Sequence, residues 1–375
     1  MAKNLPSNVL TFAAGNTDLY EKAQDWWNQY RSMNGTKGLD FSTKAPNAEG
    51  QLVEISFSQK EEQLNQSLKR EIMRVAGIGN FDQFPVETWV THPMLKWATF
   101  AVVSAVLDVL IPDTLIDSIG LYTDVRSIGW GDSAAFDIEP RDLFVVSKAG
   151  RGKRIAEMHK QFRGQVTIVP ELRELTVAVS LMKILAGKES LAAFVSKAVR
   201  SMETAMTVDV YTVFAAAMAA LSNTAVSGLR VAGYTQADFV NLSQKVAAYS
   251  NSKPIAIGTQ RALSNILPHD ANYRYDLESS DYVKLGYIKN FQGTDIMVLP
   301  QVADWESPFQ LKLSDSTIWI VAPSANKLVK LVLEGSTLSH VDDTFKNANL
   351  VQTSTLMKSW GSAVATNSLG ATITL

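Results

Sequence analysis

The chain has no cysteine among its 375 residues. Disulfides, thiolate nucleophiles and cysteine-held metals are therefore excluded. A reducing cytoplasm fits this, and so does a secreted protein built without cysteine. Histidine is nearly as scarce: His92, His159, His269 and His340 are the four. No two of them stand four residues apart and HExxH is missing, so the sequence marks no metal site. Charged residues make up 19% and the net charge is −2, so the basic excess of a nucleic-acid-binding surface is missing too. There is no GxSxG elbow. AGRGKR (149–154) fails as a phosphate loop, because Ser147 stands where glycine is required and Arg154 follows Lys153. Gly77-x-Gly79 leads to Asp82 instead of a third glycine. No residue is nominated as catalytic, cofactor-binding or metal-ligating, and no cofactor is expected. The opening residues, MAKNLPSNVLTFAAG, carry one lysine and no sustained apolar run, unlike a signal peptide. The most apolar stretch, 98–111, contains Ser104 and Asp108 and is short for a bilayer span. It reads as a buried helix.

What is present is apolar residue in quantity. At 46% hydrophobic, 375 residues supply large cores and two or three domains. The strongest pattern is AGKESLAAFVSKAVRSMETAMTVDVYTVFAAAMAAL (186–221). Leu191, Phe194, Ala198, Met202, Met206, Val210, Phe214, Met218 and Leu221 recur every three or four residues, the period of one helix face. A single helix of that length spans roughly 50 Å, and is more often a girder than a pocket wall.

Around it the pattern alternates. Asp18 begins a helix to about Met33, with Leu19, Ala23, Trp26, Trp27 and Tyr30 on one side. LVEISF (52–57) is extended. A helix over 59–76 carries Leu64, Leu68, Ile72 and Val75 in phase and stops at Gly77. A third runs from Leu95 to Leu110. Residues 115–180 are strand-like, with Ile128, Trp130, Phe136, Ile138, Phe144 and Val146 at even spacing. Beyond the long helix, Thr235-x-x-Asp238 opens a helix with Phe239, Leu242 and Val246 on one face. Strands are expected at PIAIG (254–258), YIKNF (287–291), DIMVL (295–299), IWIVA (318–322) and KLVKLVLE (327–334), with Gln292-Gly293 as a hairpin turn. The tail from 336 is Thr/Ser/Val-rich and extended. Trp26-Trp27 read as packing, within the subunit or onto a neighbour, and Trp305 and Trp319 as core or interface rim.

One charged segment is sorted by sign. Asp137, Glu139 and Asp142 precede the strand LFVVS with Arg141 among them, and Lys148, Arg151, Lys153, Arg154, Lys160 and Arg163 follow it, opposed only by Glu157. Three readings stand open: a solvated hairpin, an arm that docks on neighbouring copies, and a nucleic-acid contact through the basic half.

The order of parts carries a resemblance. An N-terminal arm and helix precede a charged β-ribbon; a strand leads into one very long helix; a mixed α/β segment and a β-rich tail follow. SNSKPIAIGTQRALSNILP (250–268) looks like a strand, Gly-Thr and short helix. GYIKNFQGTDIMVLPQVAD (286–304) is similar to the element G-x-φ-x-N-F-x-G-T-x-φ-x-V, where φ is apolar. IWIVAPSANKLVKLVLEG (318–335) resembles the strand pair that follows it. In these features the chain resembles the major capsid proteins of tailed bacteriophages, the Hong Kong 97-type fold.

The resemblance implies an α+β fold in six parts. These are an N-terminal arm (1–57), the first part of a peripheral domain (58–130), an extended loop (131–172), the peripheral domain with its spine helix (173–224, the helix at 186–221), an axial domain (225–336) and peripheral C-terminal strands (337–375). It implies a non-enzymatic shell protein, assembled in a host bacterial cytoplasm into the head of a virion. Its partners would be itself, as hexamers and pentamers, with scaffolding, portal and cement proteins and packaged double-stranded DNA whose sequence is not read. No membrane is involved. Contacts between subunits would fall on Asp137, Glu139, Asp142, Lys148, Arg151, Lys153 and Arg154. An encapsulin-type nanocompartment of the same fold is the near alternative, and an α/β enzyme with a scattered site the more distant one.

Overall fold

A computed structural model describes residues 17–33, 42–46, 52–79, 92–118, 123–138, 164–179, 183, 188–223, 228–267, 283–304, 309–322, 327–342, 352–366 and 369–375. Helix α1 (Thr17–Met33) buries Leu19, Ala23, Trp26 and Trp27 inside the subunit. Strands β1 (Ser42–Pro46) and β2 (Leu52–Ser56) pair antiparallel. Ser56 then caps α2 (Phe57–Ala76): its hydroxyl accepts from the Gln59 N–H while Gln59 Oε1 accepts from the Ser56 N–H. This reciprocal pair satisfies two orphan donors and starts the helix two residues before the expected 59. Gly77, at φ 73, ends it as expected.

Helix α3 (Pro93–Ser118) continues well past the expected end at Leu110, through Pro112. Proline removes the N–H that would have donated to the Asp108 carbonyl. Burial outweighs that loss, because residues 111–115 are all buried. Thr114 Oγ1 donates to the Leu110 carbonyl and accepts from Trp27 Nε1, both at under 3 Å, 2.7 and 2.8 Å respectively. Gln24 Nε2 donates to Asp113 Oδ2 at 2.6 Å. Met94–Leu115 is long and apolar enough to cross a membrane by composition alone, but most of it is buried within the fold. It is the core helix that the sequence implied.

Strands β3 (Thr123–Ile128), β4 (Ala134–Ile138), β5 (Gly164–Ile168) and β6 (Glu171–Val179) follow. Helix α4 (Leu191–Asn223) is the long helix, 33 residues or about 50 Å. It begins at Leu191 instead of 186. Ser190 Oγ accepts from the Ala193 N–H and Asn65 Oδ1 from the Ala192 N–H, which fixes its first turn. Next come β7 (Arg230–Ala232), α5 (Gln236–Ser250), β8 (Ile255–Gly258), α6 (Gln260–Leu263), α7 (Val283–Leu285), β9 (Asn290–Phe291), β10 (Thr294–Val298), β11 (Ala303–Asp304), β12 (Gln310–Leu311), β13 (Thr317–Val321), β14 (Val329–Asp342), β15 (Gln352–Val364) and β16 (Gly370–Thr374). Of the expected strand 287–291 only Asn290 and Phe291 are paired.

Two sheets organise the chain. One has the order β3-β14-β15-β6, the other β7-β16-β13-β8-β10-β9. Helices α1 to α4 share the core of the first, while α5 and α6 cover the second with Phe239, Leu242, Val246 and Leu263. The sheets do not divide at 336/337: β14 joins the first sheet from Val329, and β16 returns to the second, antiparallel to β13 and parallel to β7. Helix α4 packs against α2, α3 and β15 and also against β16, so it braces both sheets. Ala198, Met202, Met206, Val210, Phe214 and Met218 are buried as their spacing predicts, and Phe194 partly. Ala192, Val195, Val199 and Tyr211 are buried as well, because the helix is covered on two sides. Phe214 meets Trp319 of β13 edge to face, ring centroids 5.4 Å apart.

The hairpin β9–β10 has the expected two-residue turn. Gln292 (φ 50) and Gly293 (φ 79) both occupy the left-handed region, as a type I′ turn demands. Asp295 sits beside it, accepting from Lys253 Nζ and Asn290 Nδ2, each at 2.6 Å. The Lys253 and Asn290 hydrogen bonds hold its carboxyl below the usual carboxylate range.

Phe214→Asp should cost at least the about 3–5 kcal/mol of a phenylalanine truncation, plus the penalty of a buried unpaired charge. The expected result is insoluble subunit; normal soluble yield would misplace the stripe. For Gly293→Val the surroundings are open, with nothing within 4 Å of a β-carbon. The whole cost should then be backbone strain of about 1–2 kcal/mol, read as a lower urea midpoint with an unchanged slope.

Candidate assembly interface

Among the described residues, no three His, Asp or Glu side chains converge as a metal site. His92 precedes α3 and His340 lies on β14, while His159 and His269 fall outside the described residues. Tyr234 donates to the Leu267 carbonyl, and burial pushes its phenol up to about 12, far from neutral proton transfer.

The described ends of the charged ribbon are strands β4 and β5, paired antiparallel from Ala134↔Ile168 to Ile138↔Gly164. Asp137 is exposed on β4. Glu139, Asp142, Lys148, Arg151, Lys153 and Arg154 lie outside the described residues, as do Phe144 and Val146. The root of the ribbon has a core of its own. Ala134, Phe136 and Ile168 are buried against Val332 and Ala365. Two cations lie over the Phe136 ring, Arg126 at 4.4 Å and Lys330 at 5.5 Å from its centroid. Both also reach Asp124, at 3.3 and 3.1 Å.

The direction of the root is set by a bulge in β14. Parallel pairing of β3 with β14 ends at Ile128↔Glu334, and the β14–β15 register shifts between Glu334 and Leu338. Gly131 (φ 80) donates its N–H to Glu334 Oε1 at 2.7 Å. Trp130 lies flat on Gly335 (φ 53), where any β-carbon would collide with the indole. Underneath is a charge pair. Lys358 Nζ approaches Asp108 Oδ1 at 2.8 Å, with side chains 3% and 6% exposed. Asp108 also accepts from the Thr337 N–H at 2.8 Å and the Thr337 hydroxyl at 2.6 Å. Lys358 donates to the Gly335 carbonyl at 2.8 Å. The sequence reading passed over this network. Its one signal was Asp108 within an otherwise apolar helix, since buried carboxylates are almost always paired.

A groove of about 630 Å³ lies between β6, the outer flank of α4 and the β11–β12 hairpin. At its end Trp360 Nε1 donates to Asp209 Oδ2 at 2.9 Å, and Arg173 reaches the same carboxylate at 3.4 Å. Trp305 lies outside the described residues, and Trp319 is core.

No protein-family model matches the sequence, and no curated protein matches it. Among solved structures the chain is similar to the mature capsid of bacteriophage PhiM1, with 10% identity and a TM-score of 0.43, over 68% of this chain and 85% of that one. It is similar to the capsid of a native GTA particle, with 11% identity and a TM-score of 0.47, over 69% and 89%. It is also similar to a virus-like particle from Pyrococcus furiosus, with 12% identity and a TM-score of 0.39, over 70% and 96%.

Asp108→Ala strands the Lys358 ammonium and should destabilise the subunit by about 3–5 kcal/mol. Adding Lys358→Met should recover part of that loss, with the Thr337 N–H still unpaired. Urea unfolding of unassembled subunits compares the two; a double variant no more stable than Asp108→Ala would mean that the stranded ammonium does not carry the loss.

Proposed function

We propose that this chain is the major shell subunit of a tailed-phage head, self-assembling into an icosahedral container for double-stranded DNA. The role is structural, not catalytic. The observation that carries it is the union of a rigid body with a reaching arm. One 33-residue helix braces both sheets, and a sign-sorted ribbon leaves from a root locked onto the first sheet. A shell subunit needs struts that do not deform and arms that engage neighbours through large interfaces. In this reading 1–57 is the arm, 58–130, 173–224 and 337–375 build the peripheral domain, 131–172 is the extended loop and 225–336 the axial domain, with two strands exchanged between the peripheral and axial domains: β14 from Val329 pairs in the peripheral sheet and β16 in the axial one. A net charge of −2 suits a container that holds DNA without reading it.

The ribbon's inter-subunit residues are Asp137, Glu139, Asp142, Lys148, Arg151, Lys153 and Arg154. Exposed ion pairs contribute only about 0–1 kcal/mol each, so one substitution should be tolerated. The contact repeats around the shell, however, and reversing Arg151, Lys153 and Arg154 together to Glu should abolish assembly while leaving the circular dichroism of the subunit unchanged. Size-exclusion chromatography and negative-stain imaging give the readout. Full-size shells from the triple variant would leave the ribbon as a solvated hairpin. A wild-type chain that stays a compact monomer would overturn the shell reading itself, and shells filled with protein cargo would assign it to a nanocompartment.

A further inference from the structure

We infer that the groove beside the N-terminal half of α5 binds a neutral saccharide. This stands on the geometry around the six-stranded sheet and is independent of the shell reading.

The groove has a volume of about 940 Å³ and lies between α5, the residues that follow α6 and the β9–β10 turn. Small-ligand sites fall in this size range. No charged side chain lines it among the described residues; carboxamides do. Asn241 and Gln244 are both exposed and stand three residues apart on α5, so they share one helix face. Asn265 lines the groove from beyond α6, and Gln292 from the hairpin turn. Asn241, Gln244 and Gln292 have no hydrogen bond among the described residues. Asn265 donates its Nδ2 to the Arg261 and Ala262 carbonyls at 3.0 and 3.3 Å, which leaves its Oδ1 as an acceptor. The neighbouring Asp238 is outside the lining and accepts from the Thr235 hydroxyl at 2.6 Å.

This lining selects its ligand. Each sugar hydroxyl donates and accepts, and a carboxamide offers an N–H and a carbonyl side by side. Adjacent hydroxyls are thereby held without charge. Tyr234 donates to the Leu267 carbonyl at 3.3 Å, which fixes its ring in the groove wall. With Val240 and Leu267 it gives the C–H face of a pyranose an apolar surface. Other occupants lack their anchors. Nucleic acid needs Lys or Arg for its phosphates, and a protein partner needs large apolar or arginine anchors. Trp97, Phe309, Leu311 and the other exposed large apolar side chains all lie elsewhere. The groove beside β6 shows the contrast, being lined by Arg173, Glu174, Asp209, Asp304 and Lys312.

Gln292 supplies a second observation. It holds φ 50 at the first position of its turn, where Asn, Asp or Gly is the ordinary residue. A side chain kept against the backbone's preference points to a use. Glycine there would relieve the backbone and remove the carboxamide, so the turn and the groove make opposite demands.

The test mixes folded subunits with maltohexaose, cellohexaose, mannohexaose or N-acetylchitohexaose and reads contact by saturation-transfer NMR. A heparin hexasaccharide is the anionic control. At least one neutral hexasaccharide should bind, and the heparin fragment should not. Gln244→Ala should weaken that binding about tenfold, the loss of a hydrogen-bonded pair, with unchanged circular dichroism. Gln292→Gly should weaken it similarly while raising the urea midpoint. Silence from every neutral probe, preference for the heparin fragment, or unchanged affinity in both variants would overturn the site. Binding by subunits that disappears in assembled shells would overturn it too, because the groove would then be a contact between copies. The subunit measurement needs no assembly, so a chain that forms no shell would remove the shell reading and leave this one standing.

Discussion

The Asp108 carboxylate is the constraint from which the ribbon root follows. It projects from an apolar helix into a place with almost no water, where an ionised group persists only if it is paired and hydrogen-bonded. Lys358 supplies the charge, and Thr337 supplies an N–H and a hydroxyl. These partners come from β15 and β14, so the helix can sit at one height under the sheet and no other. The same ammonium holds the Gly335 carbonyl and so fixes the bulge. The bulge in turn opens the space that Trp130 fills, 47% exposed but seated on glycine. From Trp130 and Gly131 the chain turns into β4. A charge pair in the core thereby decides the direction of a surface arm more than one strand away.

A second dependence runs through α4. Because β16 crosses back to the six-stranded sheet after β15 has completed the four-stranded one, the two sheets share chain, and the long helix lies against both. Its buried surface is therefore wider than the single stripe of a surface helix. Tyr211 and Phe214 reach Pro300 and Trp319 in the second unit, while Ala192, Val195 and Val199 belong to the core of the first. Relative movement of the two sheets would have to break packing along one rigid rod. That stiffness suits the building block proposed above.

The ribbon root also corrects a simple picture of charge. Arg126 and Lys330 read as ordinary basic residues on strands, but they lie over Phe136 and share Asp124. Lys330 is almost wholly buried, its stem packed and its head paired. Basic residues beside the ribbon therefore anchor it, whereas those farther along, from Lys148 onward, are the ones proposed to bind.

The sequence by itself determined the local features. The stripe from Ala198 to Met218, the stop at Gly77, the cap at Thr235 and the turn at Gln292-Gly293 each follow from spacing or from one residue's conformational preference, and those act within a few residues. What only the tertiary structure decided were contacts between distant parts. Asp108 and Lys358 are 250 residues apart, and neither type nor spacing pairs them. Helix α3 runs through Pro112 because surrounding burial outweighs one lost hydrogen bond. The last strand joins the second sheet, and β6 ends the first sheet among the described residues, because pairing in sheets is non-local: a strand's sequence states which face it buries, but not which neighbour it finds.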